Sequence, residues 1–298
     1  MHPTFHPLRR HLLAALAGAG LQACGSAVPA RPAYRVERFG LASADGQRGY
    51  RVQLAIPRAA PPAAGHPLLV LLDGNAAFAL LTDELLAQQA AGGRPLAIAA
   101  LGYEGGPAAE AAARAYDYTP PLPGGQPAWD DAAQRRPAGG AEPFLDLLER
   151  RVLPAVRRAV PCDPARGTLW GHSYGGLLAL YALFTRPALF ARYAAADPSL
   201  WWHDGALLAV EPQARPLPAG RTTALLLMAG GPATTAAQAP DRAERAHRRA
   251  VLQAALPQLA ERQARRPGMA LDYRLFPGVG HGPMRAASIP PTLEFAAR

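Results

Sequence analysis

Half of the 298 residues are hydrophobic, which excludes a disordered chain and is enough to bury the core of a globular domain. The formal net charge is +9, but the sequence has no lysine and its arginines are scattered instead of forming a basic stripe, so we predict no nucleic-acid partner. Two cysteines are too few for a disulfide framework.

The first residues have the layout of an export signal. Arg9 and Arg10 precede an apolar run of about ten residues, which is too short to span a bilayer. The run ends in Leu-Gln-Ala-Cys at residues 21–24, which resembles a bacterial lipobox. This predicts a lipoprotein-type signal peptide over residues 1–23, lipidation at Cys24 and a tether over residues 24–33. Ordinary cleavage after Ala30 and a twin-arginine signal are the alternatives. No later stretch is apolar enough to cross a membrane.

Strand and helix patterns alternate from residue 34 onward. Residues 34–41 and 50–56 alternate apolar and polar side chains around an Asp-Gly pair, which is typical of an antiparallel hairpin. Continuous apolar runs predict buried strands at residues 68–72, 95–101, 192–196, 224–228 and 271–276. Helical patterns cover residues 76–91, 144–160 and 241–266, the last interrupted at Pro257. This order predicts an α/β fold with a mostly parallel sheet, helices on both faces and one domain over residues 34–298.

Residues 111–143 have a different character. They are rich in proline and glycine and carry Tyr118, Trp129, Arg135 and Arg136. Long segments of this kind inside compact domains are typically binding loops. We therefore predict a binding loop over about residues 111–143.

A Gly-x-Ser-x-Gly sequence at residues 171–175 predicts the nucleophile of the site. An apolar run precedes it and a leucine-rich run follows, which is the strand-turn-helix order of a nucleophile elbow. Small residues such as Gly171 and Gly175 are needed there because the turn is strained and tightly packed. The pattern makes Ser173 the nucleophile and places the Tyr174 N–H where it can face an oxyanion.

The base and the second oxyanion donor follow from position along the chain. A serine hydroxyl needs a base, and His281, between two glycines after the last predicted strand, is in the place where α/β-hydrolases carry it. His172, inside the elbow, is interpreted as a packing residue. The loop Asp73-Gly74-Asn75 follows an earlier central strand, so the Asn75 backbone N–H is predicted to be the second donor.

The third member of a triad is not evident in the sequence. Residues 229–232, after the strand at residues 224–228, contain no carboxylate. Asp241, with Glu244, comes later and could fold back, and Asp197 follows the preceding strand. We favour a Ser-His dyad without a charged partner, which predicts a slower enzyme than a full triad.

These motifs resemble a known family. They are Leu72-Asp73-Gly74-Asn75, Asp83-Glu84-Leu85-Leu86, Arg114-Ala115-Tyr116-Asp117-Tyr118-Thr119-Pro120, residues 169–176, Pro198-Ser199-Leu200 and Gly280-His281-Gly282-Pro283-Met284. In order and spacing, over residues 68–284, they are similar to the periplasmic siderophore trilactone esterases of the IroE type, within the esterase D-like α/β-hydrolases. The chain differs from the family pattern at Ala229 and Asp197.

The resemblance implies an α/β-hydrolase fold and hydrolysis of the serine ester bonds of enterobactin or salmochelin in the periplasm of Gram-negative bacteria. It implies Ser173 as nucleophile, His281 as base and Arg114 as a contact for the anionic catecholate. Arginine binds delocalised oxygen anions and stacks on aromatic rings, which suits a ferric tris-catecholate. The residues predicted to bind substrate are Arg114, Tyr118, Trp201 and Trp202.

The leading prediction is therefore a monomeric serine esterase that acts on a small anionic siderophore ester, iron-loaded or free, for iron acquisition. A general carboxylesterase or acyl transferase of the esterase D type is the first alternative. A lipid-anchored protein that binds siderophore without cleaving it is the second. The sequence shows no metal-ligand spacing, dinucleotide glycine pattern or Walker motif, so no cofactor is predicted.

Overall fold

A computed structural model describes residues 32–131, 135–231, 250–251 and 254–298 of the chain. The strands in this part are β1 (Tyr34–Ala42), β2 (Gly49–Pro57), β3 (His66–Leu71), β4 (Ala97–Tyr103), β5 (Ala128–Asp131), β6 (Arg136–Ala138), β7 (Cys162–His172), β8 (Arg192–Ala196), β9 (Thr223–Gly230) and β10 (Met269–Phe276). The helices are α1 (Gly74–Phe78), α2 (Asp83–Ala91), α3 (Pro107–Asp117), α4 (Ala141–Leu147), α5 (Leu153–Ala159), α6 (Tyr174–Thr185), α7 (Ala206–Val210), α8 (Leu256–Ala264), α9 (Met284–Ala287) and α10 (Ile289–Ala297).

One eight-stranded sheet organises the molecule, in the order β1-β2-β4-β3-β7-β8-β9-β10. The pairs β1–β2 and β2–β4 are antiparallel, and every later pair is parallel. The predicted N-terminal hairpin and the mostly parallel sheet are confirmed. Because parallel strands end at the same edge, the loops after β3, β7, β8 and β10 open at one edge of the sheet.

The sheet is buried on both faces, as its continuous apolar strands require. Alternate residues of one strand enter different cores. Val70 and Leu72 pack with helices α4 to α6, whereas Leu69 and Leu71 pack with α1, α2 and α10. Trp170 of β7 belongs to the second core, where its indole N–H donates to Ser288 Oγ at 3.2 Å. The predicted layers of helices on both faces are confirmed.

Two predicted helices differ from the observed ones. The pattern at residues 76–91 is split into α1 and α2, because Thr82 caps a new helix by accepting a hydrogen bond from Leu85 N at 3.2 Å. The pattern at residues 144–160 begins earlier, in α4, and continues through a π-helical turn at Leu148–Val152 into α5. Pro154 has no N–H to donate, which accounts for an irregular hydrogen-bond ladder there.

The predicted loop over residues 111–143 is largely folded. Its first seven residues belong to α3, whose alanine-rich sequence with proline at the first turn is a strong helix former. Farther on, β5 and β6 form a small antiparallel hairpin. Thr119 Oγ1 joins the two ends of the segment by accepting from Gly139 N at 2.8 Å. Its proline and glycine content marked turns between elements rather than an irregular loop.

Several predictions lie outside the described residues. They concern the signal peptide, Cys24, most of the tether, and the acid candidates Asp241 and Glu244. The predicted helix at residues 241–266 is described only near its end, where α8 begins at Leu256 with Pro257 in its first turn. Among the helices that are described, none is long and apolar enough to cross a membrane.

Candidate active site

The nucleophile elbow forms where β7 ends and α6 begins. Ser173 adopts φ 60° and ψ −117°, a strained conformation that turns the chain sharply between the two elements. A Cβ built on Gly171 would lie 2.2 Å from the Gly175 carbonyl carbon, so only glycine fits at that position. Ser173 N donates to Ala196 O at 3.0 Å, which ties the turn to the end of β8. The elbow therefore has the geometry that the sequence predicts.

His281 reaches the nucleophile from the loop after β10. Its Nε2 lies 3.0 Å from Ser173 Oγ, within hydrogen-bond distance. The loop sits close against the end of β9, since a Cβ built on Gly230 would lie 2.6 Å from Val279 O. The structure thus brings together the two residues predicted as nucleophile and base, although they are separated by more than a hundred positions in the sequence.

Asp197 completes a triad, and the expectation of a dyad without a charged partner is wrong. His281 Nδ1–H donates to Asp197 Oδ2 at 2.5 Å, and Asp197 Oδ1 accepts from Gly230 N at 3.3 Å. Asp197 has a left-handed backbone, with φ 43°, and its N–H donates to Met228 O at 2.7 Å. This turn directs the carboxylate across the end of β9, which is the strand after which a triad acid is expected.

The charge state of Asp197 suits this arrangement. Burial alone would raise its pKa, but the hydrogen bond and charge of His281 and the Gly230 N–H hold the pKa below the usual range. An ionised carboxylate only accepts hydrogen bonds, so His281 carries its proton on Nδ1. Its Nε2 then has a lone pair directed at the Ser173 hydroxyl.

His172 contacts the loop that carries His281. Its Nε2–H donates to the carbonyl oxygen of His281 at 2.8 Å, and the two rings are 4.8 Å apart. Burial, followed by the charge of His281, lowers the pKa of His172 to about 4. His172 is therefore neutral at neutral pH and packs against the base, in line with its interpretation as a packing residue.

Ser199 is a site residue that sequence reasoning missed. It is fully buried, its Oγ lies 3.1 Å from Ser173 Oγ, and its N–H donates to Ser173 O at 3.1 Å. The available signal was the Pro-Ser-Leu motif at residues 198–200, which was assigned to the family resemblance without a chemical role. Ser173 is thus held by both the backbone and the side chain of Ser199.

The two predicted oxyanion donors occupy first turns of helices. Asn75 is the second residue of α1, and Tyr174 is the first residue of α6. The leading N–H groups of a helix have no acceptor within it, so they are available to a ligand. The Asn75 side chain donates to Tyr103 O at 2.9 Å and to Glu110 Oε2 at 3.0 Å. Its backbone N–H therefore stays the predicted donor.

Arg114 does not have the surroundings of a substrate-binding residue. Its Nε and one terminal nitrogen donate to the two carboxylate oxygens of Asp73 at 2.6 and 3.0 Å, and the terminal nitrogen also lies 3.3 Å from His172 O. Its side chain is only 20% exposed. Burial alone would lower the pKa of Arg114, but the Asp73 carboxylate raises it above the ordinary value, so the guanidinium stays charged. The structure thus gives Arg114 a partner within the protein, and its contact with the substrate stays a prediction.

The predicted aromatic contacts divide into two groups. Tyr118 is fully buried and its hydroxyl accepts from Asp73 N at 3.0 Å, and Trp202 is buried as well. Both are core residues, and their assignment to substrate binding is wrong, because apolar packing rather than the cleft takes up their rings. Trp201 is half-buried beside the elbow, with its ring 5.7 Å from that of Tyr174, and its substrate-binding role stays a prediction.

The β5–β6 hairpin lies against the same side of the elbow. Asp130 accepts a hydrogen bond from the Tyr174 hydroxyl at 2.5 Å and pairs with Arg136 Nε at 2.7 Å. His203, in the turn before α7, contacts the hairpin as well: its Nε2–H donates to Trp129 O at 3.0 Å. The Trp129 side chain is 39% exposed. The hairpin is therefore tied to the side chain of Tyr174 through Asp130, which also holds Arg136.

The described part of the chain contains no group of histidine, cysteine, aspartate and glutamate residues that could hold a metal ion. The groups whose geometry is observed are the serine, the imidazole and the carboxylate. A buried carboxylate, an oriented imidazole and a hydroxyl within hydrogen-bond reach constitute a nucleophilic acyl-transfer centre.

Comparisons with known proteins agree with this chemistry. Residues 43–263 match the family model described as "Putative esterase". The chain is 37% identical over 246 residues to the apo-salmochelin esterase of Escherichia coli O6:H1, which covers 83% of this chain and 74% of that protein. It is 34% identical over 170 residues to the ferri-bacillibactin esterase BesA of Bacillus subtilis, covering 55% of this chain and 58% of that protein.

A solved structure is similar over nearly its whole length. The enterobactin and salmochelin hydrolase IroE superposes with a TM-score of 0.66 at 33% identity, covering 89% of this chain and 96% of that one. The α/β-hydrolase fold expected from the motifs is thereby confirmed.

Proposed function

This chain belongs to the esterase family, and from that premise we propose that it is a serine esterase that hydrolyses the ester bonds of a catecholate siderophore such as enterobactin. The observation that carries the proposal is the continuous set of contacts from Ser173 Oγ through His281 to Asp197, at 3.0 and 2.5 Å. A serine esterase uses the hydroxyl as nucleophile, the imidazole as base and the carboxylate to orient and stabilise the imidazole, and the three groups stand here in that order.

The geometry defines a role for each group in the reaction. His281 Nε2 takes the proton of Ser173 while Oγ forms a bond to the ester carbonyl carbon. The backbone N–H groups of Asn75 and Tyr174 stabilise the negative charge on the carbonyl oxygen. His281 then gives the proton to the departing alcohol oxygen as the ester C–O bond breaks, which leaves an acyl group on Ser173. Asp197 keeps the imidazole in the required tautomer and stabilises its charged form.

Hydrolysis of the acyl-enzyme uses the same groups a second time. A water molecule gives a proton to His281 Nε2 and attacks the acyl carbon. The bond to Ser173 Oγ breaks, the proton returns to Ser173, and a free carboxylic acid leaves. A cyclic triester therefore yields a linear product that still carries two esters, each a possible substrate for another cycle.

The substrate class is supported by the relatives and by the side chains around the elbow. The similar proteins act on salmochelin, enterobactin or bacillibactin according to their names. In this chain the Trp201 ring lies 5.7 Å from the Tyr174 ring, and Arg136 pairs with Asp130, which accepts from the Tyr174 hydroxyl. Such groups suit a planar anion, because arginine and aromatic rings both interact with catecholate faces and edges.

Incubation with apo and ferric enterobactin, followed by chromatography, tests the proposal. We expect linear products from the wild type and none from Ser173→Ala, while Ser43→Ala, in the β1–β2 turn, behaves like the wild type. Binding seen as fluorescence quenching without any turnover would instead indicate a carrier. Turnover of aryl esters with an intact trilactone would indicate a general carboxylesterase.

Export to the periplasm and lipid anchoring through Cys24 belong to the same proposal, since a periplasmic esterase would meet the siderophore once it has crossed the outer membrane. The support is the charged segment, the apolar run and the lipobox-like sequence at residues 21–24. Expression of the full chain in a Gram-negative host, with detergent phase partitioning, tests it. We expect the wild type in the detergent phase and Cys24→Ser in the aqueous phase. A wild-type protein that stays in the cytosol would contradict export.

A further inference from the structure

Helix α3 contacts the predicted oxyanion loop through two side chains that are one turn apart. Glu110 Oε2 accepts from the Asn75 side chain at 3.0 Å, and Arg114 forms the two-point ion pair with Asp73. Residues four positions apart lie on the same face of a helix. One face of α3 therefore holds both ends of the segment Asp73-Gly74-Asn75.

Arg114 also reaches the nucleophile elbow. The nitrogen that donates to Asp73 Oδ2 lies 3.3 Å from the carbonyl oxygen of His172, the residue before Ser173. Its guanidinium carbon is 5.2 Å from the centre of the Tyr174 ring. A Cβ built on Gly175 would lie 3.6 Å from Asp73 Oδ2, so the start of α6 packs against the same carboxylate. Arg114 thus joins the two segments that carry the predicted oxyanion donors.

From these contacts we infer that Arg114 and Asp73 are positioning residues that hold the Asn75 and Tyr174 N–H groups at the separation an oxyanion requires. The inference rests on the proposed esterase function and adds to it the origin of the oxyanion geometry. Asp73 is in the left-handed region, with φ 52°, and is almost fully buried. A strained and buried carboxylate of this kind needs a fixed partner.

The two-point geometry explains why arginine is present here. A guanidinium offers parallel N–H groups that fix the orientation of a carboxylate, whereas an ammonium is a single charge without such a fork. A substrate catecholate would have to displace Asp73 in order to use the same N–H groups. The N–H groups in this ion pair are therefore engaged within the protein.

This assignment makes a clear kinetic distinction. A residue that binds an anionic substrate affects KM for that substrate and leaves a neutral ester unaffected. A residue that sets the oxyanion hole affects the transition state of every ester, irrespective of its charge, and lowers kcat. Arg114 and Asp73 belong to the second group, and a change in either one lowers the rate for all esters.

The experiment compares Arg114→Lys, Arg114→Gln and Asp73→Asn on a neutral aryl acetate and on an anionic catecholate siderophore ester. We expect kcat to fall by about 10- to 100-fold on both substrates with KM changed less than about threefold, since loss of one oxyanion donor costs about 100-fold or more. Arg136→Gln is the contrasting variant and raises KM only for the anionic ester. Circular dichroism and Tm show that each variant is folded, and Arg114→Lys retains the charge if Arg114→Gln does not fold.

A loss confined to KM for the anionic ester, or unchanged kinetics in Arg114→Lys and Asp73→Asn, overturns the inference. Labelling by a neutral fluorophosphonate provides a readout that does not depend on the substrate. In that reaction Ser173 Oγ forms a bond to phosphorus, fluoride leaves, and the serine proton passes to His281. Slower labelling of Arg114→Lys supports the positioning role even if the wild type hydrolyses no siderophore, a result that would refute only the proposed function.

Discussion

His281 Nδ1 lies 2.5 Å from Asp197 Oδ2, although Asp197 follows β8 and an acid is expected after β9. The strands β8 and β9 are neighbours, and Asp197 reaches across the end of β9 to accept from Gly230 N. A carboxylate on either strand can therefore serve one histidine. Residues 229–232, at the end of β9, contain no carboxylate, and Asp197 supplies one from the end of the adjacent strand.

Replacing Asp197 with asparagine tests this triad. We expect Asp197→Asn to lower kcat by about 10³- to 10⁴-fold, because an amide can donate to Nδ1 and select the wrong tautomer of His281. Steady-state kinetics on an aryl ester measure the effect. Asp272→Asn, which removes a carboxylate on β10 that pairs with Arg274 and Arg298 instead of His281, is expected to behave like the wild type. A variant Asp197→Asn with wild-type activity would restore the dyad interpretation.

Ser199 is expected to assist the nucleophile directly. When Ser173 donates its single hydroxyl proton to His281 Nε2, Ser199 O–H is left to donate to Ser173 Oγ, 3.1 Å away. The donor stabilises negative charge that develops on Oγ in both steps. Ser199→Ala should lower kcat by about 10-fold, and Ser199→Thr should restore most of it, since a hydrogen bond to a charged group contributes about 1.5 kcal/mol or more. Equal activity of both variants with the wild type would contradict this role.

The stability of the protein should fall in acid because of His172. Its pKa is about 4 in the folded state, below the ordinary value of 6.5, so the unfolded chain binds more protons at this site between those values. The free energy of unfolding therefore drops as the pH falls from 6.5 to 4, by up to about 3 kcal/mol. Urea unfolding across that range should show a smaller drop in His172→Gln, whose amide can still donate to His281 O. If His172→Gln keeps the wild-type pH dependence, the explanation is incorrect.

Two glycines near His281, Gly230 at the end of β9 and Gly282 in the loop, provide a further test. A Cβ on Gly230 would lie 2.6 Å from Val279 O, whereas a Cβ on Gly282 meets no atom within 4 Å. Gly230→Ala should displace the loop that carries His281 and lower kcat by about 100-fold, because misplacing a catalytic group by about 1 Å has an effect of that size. Gly282→Ala, in the same loop, should stay within about threefold of the wild type. Equal kinetics of the two variants would show that the close approach at Gly230 is not important for activity.

Much of the site could be predicted from short segments. The strained turn at Ser173 requires glycine nearby, and this requirement is visible in five consecutive residues. The position of His281 followed from its place after the last strand. The hairpin followed from alternation, which reflects the two-residue period of a half-buried strand. The strand at residues 192–196 followed from a continuous apolar run, which is typical of a strand buried on both faces.

The remaining site residues depend on which strands are neighbours. Asp197 contacts His281 only because β8 lies between β7 and β9, and Ser199 reaches Ser173 for the same reason. The sequence did not indicate the partner of Arg114, because Asp73 lies 41 positions away. The two side chains come together only when α3 packs over the loop after β3.

The sequence by itself was therefore sufficient to identify the nucleophile turn, the base and the class of fold. The turn depends on backbone conformation over a few residues, and the other two depend on the order of strand and helix patterns along the chain. The order of strands and the packing of α3 were needed to identify the acid, the buried serine beside the nucleophile and the true partner of Arg114. These three are long-range contacts between polar side chains, and burial in the folded sheet is what makes each of them require a partner.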